Sequence, residues 1–151
     1  MRIAFVCVQN AGRSQMSTAF AEQERSERSL DGVEIVSGGT DPADEVHPEV
    51  VETMQQLGID LSDRTPQAVS TEELEACDIV LTMGCSTLSL DADTDVRDWA
   101  LPDPDGESPE RVREIRDQIR ERVCELFDEI SQQPTRSVSN TTRVASNSRP
   151  E

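Results

Sequence analysis

The sequence has 151 residues, the size of about one domain, and a formal net charge of −17 in which every basic residue is an arginine. So acidic a chain argues against nucleic acid as a partner, because phosphates would be repelled over most of its surface. No window approaches the roughly 18 apolar residues of a membrane span and no signal-like segment opens the sequence, so we expect a cytoplasmic protein without a membrane partner. The dense carboxylates favour halophilic adaptation, since high salt screens their repulsion; the alternative is a solvated surface without a specific role.

Strand-like and helical patterns alternate along the chain. Apolar runs predict strands at about 2–8, 32–37, 78–83 and 95–100. Helical periodicity predicts helices at about 13–28, from Val50 to a stop at Gly58, from Ser70 or Thr71 onward, and from Ser108 to Ile130. Such alternation is typical of parallel β-α-β units in an α/β fold. From 131 to 151 the sequence turns to serine, threonine, asparagine and arginine, so we expect one folded domain over 1–130 and a mobile polar tail over 131–151.

The loop between the first strand and the first helix carries the strongest chemical motif. It reads Cys7-Val8-Gln9-Asn10-Ala11-Gly12-Arg13, followed by Ser14. On such a loop the backbone N–H groups, the positive end of the helix and the arginine fork can together hold a tetrahedral oxyanion. The same field stabilises the thiolate, which is the nucleophilic form of cysteine. We therefore predict that Cys7 is the nucleophile, that Arg13 binds the oxyanion, and that residues 8–14 form the binding loop.

This loop and several later segments resemble the low-molecular-weight protein tyrosine phosphatase family, whose loop reads Cys-x-x-Asn-x-x-Arg-Ser. The similarity continues in order through 36–40, His47-Pro48, 57–60, 78–83 and 99–104, and so covers roughly residues 1–130. It implies a three-layer α/β/α fold with a four-stranded parallel sheet in the order 2-1-3-4. Within the family, Met83-Gly84-Cys85 and the Asp-Pro-x-Gly ending at 103–106 are similar to the arsenate reductase branch.

Further loop residues complete the expected site. Asp103 follows the fourth strand, at the sheet edge that Cys7 also occupies, and can protonate a leaving oxygen; the alternative is a turn-forming aspartate before proline. Asn10 and Ser14 are placed to support the loop and the Cys7 thiolate by hydrogen bonds. The resemblance implies that Ser37 braces Asn10. His47 is interpreted as a helix-entry residue, and the cysteine and histidine spacing predicts no metal site.

Cys85 is the informative second thiol, because it follows the third strand onto the same edge. It can attack an adduct on Cys7 and form a disulfide, whereas the alternative is a small residue packed in a loop. By chain length, Cys77 and Cys124 lie too far from the loop to take part. Many reductases of the branch have a third cysteine where this sequence has Ser89. We therefore expect no bound cofactor and an external reductant, either a small thiol or a thioredoxin- or glutaredoxin-like protein.

Three functions fit these residues. The favoured one is reduction of arsenate to arsenite with thiol electrons. The alternative is a tyrosine phosphatase, in which Cys7 forms a phosphocysteine and Cys85 is a bystander or a redox guard. A third, non-enzymatic possibility is a redox-sensing module. The bound species is accordingly arsenate or a phosphate oxyanion.

Overall fold

Four strands alternate with four helices in a computed structural model that describes residues 1–83, 94–104 and 106–132. The strands are β1 (Arg2–Cys7), β2 (Glu34–Gly39), β3 (Ile79–Thr82) and β4 (Asp95–Asp98). The helices are α1 (Arg13–Glu27), α2 (Pro48–Gln55), α3 (Thr71–Glu75) and α4 (Pro109–Gln132). Each element lies where the sequence predicts one. The segment 133–151 lies outside the described residues, so the tail stays a prediction.

The sheet is parallel throughout and has the strand order β2-β1-β3-β4, which confirms the expected α/β fold and its topology. Ile3 of the central strand β1 pairs with Ile35 on one side and Ile79 on the other. After β1 the chain winds first to β2 and later back to β3, so the direction of winding changes beside the carboxyl end of β1. That change opens a crevice in parallel sheets, and Cys7 is the residue that ends β1.

Alternating side chains divide the core into two layers. One face of β1, with Ile3, Phe5 and Cys7, joins the larger apolar core formed with α1, α2 and α4. The other face, with Ala4 and Val6, packs against a smaller cluster that includes Leu74 of α3. This period-2 alternation on both faces produces the predicted three-layer α/β/α arrangement.

Local signals explain the helix ends. Ser70 and Glu73 form a reciprocal capping box at the start of α3. Ser108 Oγ accepts a hydrogen bond from the Arg111 N–H, and Pro109 occupies the first turn of α4. Gly58 has φ +78°, the left-handed conformation expected of a glycine that follows a helix.

Two strand ends differ from prediction. β2 runs from Glu34 to Gly39, two residues beyond the predicted end at Ser37. β4 ends at Asp98, and the prediction that Trp99 is a strand residue is wrong. Trp99 is nevertheless buried, because its ring packs against that of Phe5, with the ring centroids 6.0 Å apart. None of the helices in the described ranges is long and apolar enough to cross a membrane.

Candidate active site

The thiol of Cys7 lies among hydrogen-bond donors at the carboxyl end of β1. Its Sγ atom is 2.9 Å from Ser14 Oγ, and the Asn10 N–H donates to it at 3.2 Å. Cys7 is only 4% exposed. The buried sulfur therefore has hydrogen-bond partners on both the backbone and a side chain of the loop segment.

Asn10 is the centre of the loop and adopts an unusual conformation. Its φ is +52°, which costs a non-glycine residue about 1–2 kcal/mol. Its Nδ2 donates to Ser14 Oγ at 2.7 Å and to Ser37 Oγ at 2.9 Å, and its Oδ1 accepts from the Gln67 N–H at 3.0 Å. These bonds offset the strain and place the Asn10 N–H against the sulfur. Ser14 and Ser37 both occupy the supporting positions expected of them.

Gln15 is a buried polar residue of the site that the sequence analysis did not identify. Its Nε2 donates to both Asn10 O, at 2.9 Å, and Asn10 Oδ1, at 3.1 Å, and the residue is 3% exposed. One amide group thereby holds the backbone and the side chain of Asn10 together. The sequence gives no signal for this role, because Gln15 follows Arg13 and Ser14 in a polar first turn of α1.

The segment 40–47, here called the strap, runs alongside the loop and binds its backbone. Four of its N–H groups donate to carbonyls of Cys7 and the loop: Thr40 to Cys7, Asp41 to Val8, Ala43 to Gln9 and His47 to Ala11, at 2.8–3.3 Å. These carbonyls therefore already accept hydrogen bonds from the strap. Sequence patterns give no signal for this, because the contacts involve only backbone atoms.

Most backbone N–H groups of the loop, unlike its carbonyl groups, have no hydrogen-bond partner among the described residues. Among the described residues, the N–H groups of Val8, Gln9, Ala11, Gly12 and Arg13 find no protein acceptor. The start of α1 has no side-chain cap and no acidic residue in its first turn. Unused N–H groups at a helix N-terminus form a binding site for an anion. The loop can therefore bind a tetrahedral oxyanion next to the Cys7 sulfur.

A cavity of about 260 Å³ opens onto this loop. Its described wall is formed by Cys7, Val8, Gln9, Gly12, Arg13, His47 and Asp103. Arg13 is held there by a bond from Nη1 to Leu101 O at 2.8 Å, and its Nη2 lies 3.9 Å from Asp103 Oδ2. The fold thus brings Cys7, Arg13 and Asp103, the predicted nucleophile, oxyanion-binding residue and acid, into one pocket. Asp103 is 62% exposed, so its carboxyl group can exchange protons with solvent.

The second cysteine of the expected site, Cys85, lies outside the described residues. Met83, two residues before Cys85, donates its N–H to Val6 O at 3.1 Å, next to the end of β1. Cys85 therefore follows, two residues along the chain, a residue that is bonded next to the end of β1.

The other two cysteines lie away from the loop, as the sequence analysis expected. Asp78, next to Cys77, bonds to Arg2 O at the start of β1, five residues or about 16 Å from Cys7. Cys124 contacts Glu24, eleven residues or about 16 Å along α1 from its first residue. Burial raises the pKa of the Cys77 thiol, and burial together with the Glu24 carboxylate raises the pKa of Cys124. Both therefore stay in the unreactive thiol form to higher pH.

His47 lies at the entry of α2, as expected, but it also forms part of the pocket wall. The sequence analysis did not assign it to the site, because a residue before proline at a helix start has a sufficient structural explanation. Within residues 1–83, 94–104 and 106–132, no group of three or more histidine, cysteine or acidic residues is arranged to hold a metal ion.

Comparison with known proteins agrees with this geometry. Residues 2–136 match the family described as Low molecular weight phosphotyrosine protein phosphatase. A Halobacterium salinarum protein named "Putative arsenate reductase" is 70% identical over 132 residues, which are 86% of this chain and 93% of that protein. The "Glutaredoxin arsenate reductase" of Synechocystis sp. is 33% identical and covers 86% of this chain and 98% of its own length. A solved structure described as "An arsenate reductase in the phosphate binding state" has a TM-score of 0.71 and 31% identity, covering 85% of this chain and 98% of that one.

Proposed function

This chain belongs to the low molecular weight phosphotyrosine protein phosphatase family, and from that premise we propose that it is a thiol-dependent arsenate reductase. The observation that carries the proposal is the composition of the pocket. Cys7, Arg13 and Asp103 share a small cavity whose described wall contains no phenylalanine, tyrosine or tryptophan. A phosphotyrosine ring would need an apolar surface to pack against, whereas arsenate needs only hydrogen-bond donors and positive charge.

The first step uses only described residues. Arsenate binds to the unused N–H groups of the loop and to the guanidinium of Arg13, and the Cys7 thiolate attacks its arsenic(V) atom. An arsenic–sulfur bond forms while one arsenic–oxygen bond breaks, and Asp103 gives a proton to the departing oxygen, which leaves as water. The loop donors are preorganised for the charge that develops on the remaining oxygens.

The second step needs another thiol, and we assign it to Cys85. Its thiolate attacks the Cys7 sulfur, a disulfide forms, and the sulfur–arsenic bond breaks with its electron pair remaining on arsenic. Arsenic(V) is thereby reduced to arsenite, and two thiols are oxidised to one disulfide. Chain order supports this assignment, because Cys85 follows Met83 by two residues. The other two cysteines lie about 16 Å or more from the loop, as measured along β1 for Cys77 and along α1 for Cys124.

The disulfide must then be reduced by an external thiol. Ser89 occupies the position where the branch has a third cysteine, so this chain cannot pass the disulfide onward in the same way. We infer that the reductant is a small thiol or a redoxin, with a glutaredoxin-like protein favoured by the name of the cyanobacterial relative. Such thiols are kept reduced in the cytosol, which is the compartment we propose for this reaction.

The second candidate function is phosphatase activity, and Ser89 is the observation that favours it. Cys7, Arg13 and Asp103 suffice for transfer of a phosphoryl group through a phosphocysteine, without any second thiol. A Cys85→Ser variant separates the two functions. We expect it to lose arsenite production while keeping any hydrolysis of a small aryl phosphate. Unchanged arsenate turnover in this variant, or a wild type that hydrolyses aryl phosphates well and forms no arsenite with any thiol donor, would favour the phosphatase.

A further inference from the structure

His47 is the residue of the strap that lines the pocket together with Cys7, Arg13 and Asp103. Its N–H donates to Ala11 O at 3.0 Å, and its carbonyl accepts from the first turn of α2. The ring lies beside Gly12, where a Cβ atom would meet His47 Cδ2 at 3.5 Å and Pro104 Cγ at 3.4 Å. The imidazole is therefore anchored at the oxyanion loop by the backbone on both sides of it.

The ring nitrogens of His47 are not used by the fold. Among the described residues, neither nitrogen has a hydrogen-bond partner, although the residue is half-buried. A neutral imidazole offers one N–H donor, and a protonated one offers two donors and a positive charge. An unused donor of this kind in the wall of an anion pocket is available to the anion.

The pocket carries more negative than positive charge, so a further donor or cation there would help to bind an anion. The ionisable groups in its described wall are Cys7, Arg13, His47 and Asp103, so Arg13 is the only permanent cation there. The Asp103 carboxylate opposes it from 3.9 Å. The strap adds exposed acidic side chains at Asp41, Asp44 and Glu45, and the whole chain carries −17. An incoming dianion therefore meets much more negative than positive charge.

We propose that His47 is an oxyanion-binding residue that donates a hydrogen bond to the bound anion and, when protonated, supplies the second positive charge of the pocket. The inference deepens the proposed function, since it assigns a further residue to the same site. Histidine gains or loses its proton between about pH 5 and 8, so anion affinity should rise as the pH falls through this range.

Sulfate is the suitable probe, because it is a tetrahedral dianion whose charge does not change over this range. Binding is measured by calorimetry at constant ionic strength in a Cys7→Ser chain, which removes the thiol and any covalent chemistry. We expect affinity to weaken about tenfold between about pH 5.5 and 8.5, the size of one charge-assisted hydrogen bond. Adding His47→Gln should remove this pH dependence and weaken binding only at the acidic end. Groups that both chains share, such as Asp103, cancel in the comparison.

Asp44→Asn is the control for local charge, because it changes the charge by one unit, in the opposite direction to loss of a protonated His47, at an exposed strap position outside the pocket wall. We expect it to leave the pH dependence of sulfate binding intact. A second readout avoids altering His47 at all. The chain has a single histidine, so its ring signal in an NMR spectrum is unambiguous, and sulfate should move the midpoint of its titration to higher pH.

The outcomes separate this inference from the proposed function. If sulfate binds with the same pH dependence in the presence and absence of His47, or if saturating sulfate leaves the ring titration unchanged, the role of His47 is wrong and the oxyanion pocket stands. If sulfate does not bind at any pH, the pocket itself is contradicted, and the proposed function fails with it.

Discussion

Gly39 is the position where one added methyl group should damage the active site most directly. A Cβ atom there would lie 2.5 Å from Val8 O, 3.0 Å from Asn10 N and 3.1 Å from Asn10 Cβ. Ordinary van der Waals contacts begin at 3.4 Å, so the Val8 carbonyl would have to retreat by about 0.9 Å. All three contacts belong to the oxyanion loop, and Asn10 N is the atom that donates to the Cys7 sulfur.

The expected effect of Gly39→Ala follows from that displacement. A misplacement of about 1 Å in a catalytic group can reduce the rate about 100-fold, so we expect kcat/KM to fall by about that factor. Overpacking a buried position costs about 1–3 kcal/mol of unfolding free energy, which corresponds to roughly 3–12 °C in Tm. The protein should therefore fold but bind anions and react at Cys7 poorly.

Two other glycines provide matched controls. A Cβ at Gly32 meets nothing within 4 Å, so Gly32→Ala should leave stability and activity unchanged. A Cβ at Gly38 meets Val69 Cβ at 2.5 Å, on the opposite face of the sheet from the large core. Gly38→Ala should lower Tm while the folded fraction keeps its activity. The assays are thermal melting, turnover, and the rate at which iodoacetamide alkylates Cys7.

The reasoning would be refuted if Gly39→Ala kept wild-type kcat/KM and the wild-type alkylation rate. It would also be refuted if Gly38→Ala and Gly39→Ala lost activity in the same proportion to their loss of stability. In that case the loop would not depend on the close approach of β2.

Three further predictions concern the nucleophile, the charge and one ion pair. Cys7→Ser should abolish turnover without unfolding the chain, and retention of more than about a hundredth of the activity would remove Cys7 from the nucleophile role. Arg13→Lys should lose most of the turnover, because a point charge cannot replace a bidentate fork. The net charge of −17 predicts a higher Tm in about 2 M than in about 0.1 M KCl, and a lower Tm at high salt would contradict halophilic adaptation. Arg97 lowers the pKa of Glu129 through two hydrogen bonds. The pair therefore stabilises the fold at pH values above the titration range of this carboxyl group in the unfolded chain. The stabilisation is lost as the pH falls through the lowered pKa. Glu129→Gln should thus cost about 0.5 kcal/mol or less near neutral pH. Chemical denaturation should show this difference vanishing as the pH falls below the titration range of the unfolded carboxyl group; a difference independent of pH would contradict the assignment.

The fold was predictable from the sequence because the local hydrophobic patterns and the family resemblance indicated the same architecture. Hydrophobic runs and helical periodicity located all eight elements, and the family resemblance supplied the strand order that local patterns cannot give. Errors were confined to the ends of elements, including the end of α2, which lies at Gln55 and not at Gly58. Trp99 was predicted in β4 because it is apolar, yet its burial comes from packing on Phe5 after the strand has ended.

The candidate site was predictable only where side chains form a local motif. Cys7, Asn10 and Arg13 lie within seven residues, and Asp103 follows a strand to the same edge. The support of Asn10 by Gln67 was not predictable, because it involves a backbone N–H 57 residues away. The strap was missed for the same reason, since its bonds to the loop carry no side-chain signature.

The central claim, that two thiols of this chain reduce one arsenate, is tested most directly by a single turnover without external reductant. The reduced protein is incubated with arsenate, after which free thiols, arsenite and the non-reduced peptide map are measured. We predict that two thiols are consumed and one arsenite is released per chain, with a disulfide joining Cys7 to Cys85 while Cys77 and Cys124 stay free. Release of no arsenite, or a disulfide that involves Cys77 or Cys124 instead of Cys85, would contradict the proposal.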